Sequence, residues 1–272
     1  MDVGEELIAI CALIRDPYPP YLMEWLQHHS ELGVDLFFIY DNESSTTIYR
    51  LIAESLFWNK VKVFHMPGRV VQMQTYGKCI EGIKSGFLPS CDWLAVIDED
   101  EFIICENGDI KKTMKEYEEY PGLVINWKVF GSSGLKYRTP YPQMSKFVHP
   151  TSPNNFVNQH VKSIVNPLKV KGTRRNPHVF QYLEGLAVDV NHKPFKGLFR
   201  VPTYKKIWLN HYYTRSQEEW EKKARRANPD SLRFYIDPVT KKEMPGFYRD
   251  PDQLSKIDAD CVEYARRGMT GE

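Results

Sequence analysis

Between residues 7 and 105, short apolar runs alternate with stretches whose apolar positions recur at helical spacing. Residues 7–14 (LIAICALI) are apolar throughout and stop at Arg15-Asp16-Pro17, which predicts a buried strand ended by a polar turn. In residues 20–32 (PYLMEWLQHHSEL), Leu22, Trp25, Leu26 and Leu32 lie at helical intervals, and Gly33 is placed to stop the helix. Residues 34–40 (VDLFFIY) predict a second strand running into the turn Asp41-Asn42-Glu43-Ser44-Ser45. A helix over 46–57, a third strand at 61–65 (VKVFH), a helix over 72–86 and a fourth strand at 93–98 (WLAVID) complete the series. Strand–helix alternation at this interval predicts an α/β fold of Rossmann-like type: a mostly parallel, twisted sheet flanked by helices.

After residue 105 the rhythm changes. An amphipathic helix is expected near 109–119 and a strand at 122–127 (GLVINW). From about 131 to 205 the chain is rich in Gly, Pro, Asn and Ser and carries only short β-type runs. Long loops in a compact domain tend to carry function, so substrate-side loops are expected there. A last helix begins at Ser216 (SQEEWEKKARRAN), with Glu219 three residues on completing a capping box. The pattern fits one domain over 1–272, made of a first half at 1–105, a loop-rich second half at 106–227 and a polar extension at 228–272 that the pattern does not place.

Composition narrows the function classes. With 272 residues and 42% hydrophobic content the chain can bury a sizeable core, and a net charge of +1 gives no reason to expect nucleic acid or an anionic membrane as partner. No apolar stretch approaches the ~20 residues that cross a bilayer. The acidic start MDVGEE does not read as a signal peptide, and five cysteines without a Cys-x-x-Cys pair read as buried thiols; both lead to the expectation of a cytoplasmic protein.

The stretch WLAVIDEDEF, residues 93–102, carries the chemistry: an apolar strand ends in Asp98, Glu99, Asp100 and Glu101. In open α/β sheets ligands bind beyond the carboxyl ends of the parallel strands. On extended backbone Asp98 and Asp100, two apart, project to the same side and suit Mg²⁺ or Mn²⁺ bridging to substrate phosphates. Arg215 is a charge-assisted donor for such phosphates, the helix start at Ser216 suits an anion, and Lys222 is a weaker candidate for the same task.

The Asp-x-Asp pair inside DEDEF resembles the metal motif of GT-A-fold glycosyltransferases. The ordered set CALIRD, PYLMEWLQHHSELGVD, FFIYDNESS, WLAVIDEDEF, INWKVFGSSG and HYYTRSQEEWEKK resembles the family 2-like and family 92 enzymes, over residues 11 to about 223. Asp16-Pro17 departs from that pattern, where relatives often carry Asn-Glu. The resemblance implies that residues 1–105 bind a nucleotide sugar and residues 106–227 face the acceptor. Leu13, Arg15, Asp41 and Asn42 would then line the nucleotide-base pocket, with Asp41 accepting from a uracil N–H, and Gln72 and Glu99 would lie near the nucleotide. His211 would join Asp98 and Asp100 as a third metal ligand. Trp127, Phe130, Gly131, Ser132 and Ser133 would form the acceptor wall. It further implies transfer from a UDP-linked donor to a glycan hydroxyl, with inversion, which requires a general base on the acceptor side. Among His178, Glu184 and Asp189 the sequence does not choose; Asp189 is named because carboxylates commonly fill that role.

Two other readings stay open. A nucleotide-sugar or carbohydrate-binding protein without turnover would need the same pocket. A nucleotidyltransferase also ends a strand in acidic metal ligands, but it would usually carry a Gly-rich phosphate loop where this chain has RDPYPP.

Overall fold

The computed structural model describes residues 6–173, 176–224, 234–236, 243–245 and 252–270. Its first half follows the predicted alternation: β1 (Ile8–Ile14), α1 (Pro19–Leu32), β2 (Leu36–Asp41), α2 (Ile48–Ala53), β3 (Val61–His65), α3 (Gln72–Lys84) and β4 (Trp93–Val96). Then come β5 (Glu101–Cys105), α4 (Ile110–Lys115), β6 (Gly122–Val129), α5 (Gln143–Lys146), β7 (Val161–Val165), β8 (Val170–Thr173), β9 (Phe180–Tyr182), β10 (Ile207–His211) and α6 (Gln217–Ala224). A short pair, β11 (Phe234–Ile236) and β12 (Glu243–Pro245), precedes α7 (Gln253–Thr270). The predicted continuation of the last helix through 225–228 lies outside the described residues, as does much of the extension.

One eight-stranded sheet runs in the order β3-β2-β1-β4-β7-β6-β10-β5. The four strands of the first half are mutually parallel, as βαβ connections require. Beyond them β7 enters antiparallel between β4 and β6, β10 lies parallel to β6, and β5 closes the far edge antiparallel to β10. The chain leaves β4, turns, and reappears four places away as β5. The acidic stretch spans that gap.

α1 explains why the gap is held open. Prolines at its start and Gly33 at its end (φ 109°) bound the helix, and the N–H of Val34 donates to His29 O at 2.9 Å. Its apolar stripe, Tyr21, Leu22, Trp25, Leu26 and Leu32, packs into the main core with Phe37 and Phe102. The helix also binds the backbone of β5 directly. Trp25 Nε1 donates to Glu101 O at 2.8 Å, and Ile103 N donates to His29 Nε2 at 3.1 Å. Since Nε2 accepts, His29 Nδ1 carries the proton and donates to Trp25 O at 2.8 Å.

α7 docks on the loop after β6. Ser132 donates from both N and Oγ to Asp258, and Ser152 N donates to Asp260 Oδ2 at 2.6 Å. Ile257 and Cys261 pack on Val129, with Trp127 and Tyr213 at the rim. Gly131 is required by this approach, since a Cβ there would stand 2.4 Å from Asp258 Oδ1 and 3.0 Å from Cys261 Sγ. Gly131→Ala is expected to destabilise the protein by about 1–3 kcal/mol, because α7 must shift or the Asp258 bonds must break. A urea-unfolding midpoint equal to the parent's would refute that packing argument. All five cysteines are buried as free thiols. No helix among the described residues is long and apolar enough to cross a membrane.

Candidate active site

The strand expected over 93–98 stops at Val96, and a turn at Glu99-Asp100 separates it from β5, which begins at Glu101. Ile97 N still donates to Cys11 O at 3.3 Å, tying the approach to the turn to the middle of β1. The turn closes on itself: Glu101 N donates to Asp98 O at 3.1 Å, and Asp98 N donates to Glu101 Oε2 at 2.8 Å. Asp98 and Asp100 therefore do not share one side by strand alternation. Three cations pair with the four carboxylates instead.

Lys162, with only 1% of its side chain exposed, reaches from β7 to Asp98 Oδ2 at 2.7 Å and to Glu101 Oε2 at 3.3 Å. Lys223, in the last turn of α6, places Nζ 2.5 Å from Asp100 Oδ2 and donates to Tyr213 O at 2.8 Å. Arg215 donates to Glu99 Oε1 at 3.2 Å, to Glu99 O at 3.3 Å and to Gln143 Oε1 at 2.8 Å. Arg215 sits at φ 54°, a left-handed conformation that side chains other than glycine adopt at a cost of about 1 kcal/mol or more. Its buried bonds hold it there. The guanidinium thus braces the turn, and the most exposed of the three cations is Lys223. The expected Lys222 points elsewhere, pairing with Glu218 on the exposed face of α6.

The electrostatics follow from this pairing. Burial pushes the Glu101 carboxyl well above the usual range even against Lys162, and Glu99 is raised the same way against Arg215. At Asp98 burial also acts upward, but Lys162 overcomes it and leaves the pKa lowered. Asp100 is held well below the usual value, because Lys223 and then His211 outweigh its burial.

His211 ends β10, paired across the sheet with Glu101. Its Nε2 lies 3.5 Å from Asp100 Oδ1, and its Nδ1 lies 3.9 Å from Glu101 Oε1. Burial lowers its pKa despite Asp100, so the ring is neutral at neutral pH. Gln72, at the start of α3, donates to Asp98 Oδ1 at 3.1 Å and to Tyr76 OH at 2.7 Å. Trp127 contacts His211 edge-on at 4.4 Å between ring centroids and stacks on His160 at 4.7 Å. The fold therefore brings Gln72, Asp98, Glu99, Asp100, Trp127, His211 and Arg215 into one neighbourhood. Ser216 and Glu219 form the capping box that starts α6 there, with Ser216 Oγ donating to Glu219 Oε2 at 2.8 Å.

Other predicted residues are placed differently. Leu13 and Arg15 lie at and beyond the carboxyl end of β1, and Asp41 at that of β2, on the same sheet edge as the acidic turn. The Asp41 carboxylate already accepts from Ser44 N at 2.9 Å and Ile48 N at 3.0 Å, and Asn42 Nδ2 donates to Met66 O at 2.7 Å. The Asp41 side chain shapes the turn that leads into α2, and the Asn42 side chain ties that turn to the segment after β3. Phe130 is buried with its N–H bonded to His211 O at 2.9 Å. Ser132 faces α7, and Ser133 Oγ accepts from Val148 N at 3.0 Å. The largest correction concerns Asp189. It follows Val188, which bridges to Leu123 at the start of β6, whereas Trp127 and Val129 meet β10 at the other end. Its carboxylate accepts from Asn191 N at 2.9 Å, Lys193 N at 3.0 Å and Arg200 Nε at 2.7 Å. Asp189 is a turn-forming residue with its oxygens engaged, which is a poor arrangement for a base. Of its two rivals, Glu184 is exposed, whereas His178 touches Trp127 at 5.4 Å between centroids.

A divalent cation can be tested against these donors. No cluster of three or more His, Cys, Asp or Glu side chains arranged to hold a metal is found among the described residues. Asp100 and neutral His211, however, face one another as a hard oxygen and an imidazole nitrogen, a donor pair that suits Mn²⁺ or Mg²⁺. His211 Nδ1 and Glu101 Oε1 are buried without hydrogen-bond partners, as is Gln72 Oε1, so the neighbourhood holds unused polar capacity. Asp98, the more exposed of the two aspartates, is also engaged, by Lys162 and Gln72.

Comparison with known proteins places the chain. A family 92 protein of Ricinus communis is 30% identical over 225 residues, covering 75% of this chain and 39% of that protein. One from Oryza sativa subsp. japonica is 27% identical over 221 residues, covering 74% and 37%. The chain thus spans about two fifths of the length of these curated relatives. Among solved structures, the S. aureus TarS 1–349 complex with UDP-GlcNAc is similar at a TM-score of 0.38 and 14% identity, over 59% of this chain and 45% of that one. The family profile itself covers residues 8–234, from β1 through the acidic turn, His211 and α6. By that match the chain belongs to glycosyltransferase family 92.

Proposed function

We propose that this chain is a glycosyltransferase that moves a sugar from a nucleotide diphosphate donor, UDP-linked, to a glycan hydroxyl with inversion, aided by Mn²⁺ or Mg²⁺. The observation that carries the reading is the acidic turn at the carboxyl edge of the parallel strands, faced by His211 and three cations within a family 92 sequence. Asp100 and His211 would hold the cation. Once bound, it would neutralise the diphosphate as it leaves.

The chain's own residues do the rest. α1 and Lys162 keep the turn in one conformation, so little reorganisation remains when the donor arrives. Arg215 fixes Glu99. Trp127, packed between His211 and His160, would hold the metal-side histidine in place and border the acceptor side.

The test is a panel of nucleotide sugars screened by thermal shift with Mn²⁺, followed by an assay of sugar transfer or slow donor hydrolysis. A UDP-sugar should raise the melting temperature only with the metal present. EDTA should abolish turnover, and Asp100→Ala should lower it by at least about a hundredfold, as loss of a charge that stabilises the transition state does. Full activity in EDTA would refute the metal. Binding without any turnover would favour the non-catalytic reading, and nucleotidyl transfer would favour the other.

A further inference from the structure

Three cations serve the acidic turn, and they are not equally fixed. Lys162 is buried at the base of the turn and bridges two carboxylates. Arg215 makes three hydrogen bonds, two to Glu99 and one to Gln143. Lys223 differs from both. It comes from the last turn of α6, keeps 27% of its side chain exposed, and rests on Asp100 Oδ2, on Tyr213 O and over the Tyr213 ring at 4.6 Å. Its Nζ shares the Asp100 carboxylate with His211, whose Nε2 lies 3.5 Å from the other oxygen. A positive charge therefore already sits on the carboxylate that a divalent cation would use.

We propose that Lys223 is a built-in counter-ion that competes with the divalent metal for Asp100 and must move aside before the metal binds. The inference rests on the glycosyltransferase reading above. Without metal, Lys223 neutralises Asp100, so the turn does not depend on the cation to stay folded. With metal, two positive centres on one carboxylate repel each other, and the long, partly exposed lysine stem lets Nζ move toward solvent. The donor's diphosphate supplies an alternative anion for the displaced ammonium, so metal and donor bind with mutual assistance and the metal alone binds weakly. Lys223 is a positioning residue in this account.

The experiment measures Mn²⁺ binding to the full chain without nucleotide, by the loss of the free-ion electron paramagnetic resonance signal. Lys223→Met should bind Mn²⁺ about tenfold more tightly than wild type, since a like charge within a few ångströms has been removed. Lys223→Arg, which keeps the charge, should not show the gain. A merely structural lysine would leave affinity unchanged or weaken it on removal, so an equal or poorer Kd for Lys223→Met overturns the proposal. If that variant does not fold, Lys223→Gln is measured in its place against the same criterion. Failure of the wider reading looks different: neither wild type nor variant would bind Mn²⁺ at all, which removes the metal and this inference with it.

Discussion

Lys162→Met is expected to lower the free energy of unfolding by about 3–5 kcal/mol, the usual consequence of removing one partner from a buried ion pair. Lys162 is almost wholly buried between Asp98 and Glu101, and Glu101 is itself fully buried. The loss should fall when Glu101→Gln is added, because the neutral amide can still accept from Asp98 N while shedding the unpaired charge. The pair of changes should therefore be less than additive. Urea unfolding of the four proteins in this cycle measures it. A midpoint for Lys162→Met within about 0.5 kcal/mol of wild type would show that the lysine is not the base of the turn.

Acid should expose a second buried group. Burial, reinforced by Lys162, pushes His178 down to about 3, while its Nδ1 is bonded to Val161 O at 2.8 Å. In the unfolded chain a histidine titrates near 6.5, so below that pH the unfolded state takes up the proton and the folded state does not. The stability contributed by neutral His178 is therefore complete above about pH 6.5 and is lost as pH falls toward 3. The slope is about 1.4 kcal/mol per pH unit. His29 acts in the same direction, while Glu99 and Glu101, with raised pKa values, act in the opposite one. The His178 share is isolated by comparison with His178→Gln, whose amide can still donate to Val161 O. Between pH 6 and pH 4.5 the wild type should lose about 2 kcal/mol more than the variant. Parallel pH profiles would mean that His178 protonates freely in the folded protein.

The parts of the fold legible in the sequence were those governed by local pattern. β1 to β4, α1 and α3 fall where apolar runs and helical spacing put them, and the Ser216 capping box starts α6 as its residues dictate. Sheet order beyond β4 was not legible. Nothing local tells β7 to insert antiparallel between β4 and β6, or β5 to pair with β10 at the far edge. The acidic turn is legible in the sequence, but its conformation is not, because a run of apolar residues does not reveal where a strand stops. Lys162 carries a signal of its own: a buried lysine in the strand VKSIV needs an anion to meet. Lys223 sits one helical step from Lys222, and a step of 100° separates the exposed face from the site. Chemical type alone points to Asp189, and its backbone partners lie beyond the reach of such an argument.

The cations of the turn lie far from it along the chain: Lys162 is 64 residues from Asp98, Arg215 is 116 from Glu99, and Lys223 is 123 from Asp100. On a ribosome adding about 5–20 residues each second, the four carboxyls emerge several seconds before the last of these partners exists. β1 to β4 can assemble from neighbouring segments during that interval, but the turn that ends β4 stays solvated until β7, β10 and α6 arrive. Folding of this protein is thus expected to finish at its chemical centre, with the parallel half serving as a template on which that centre closes last.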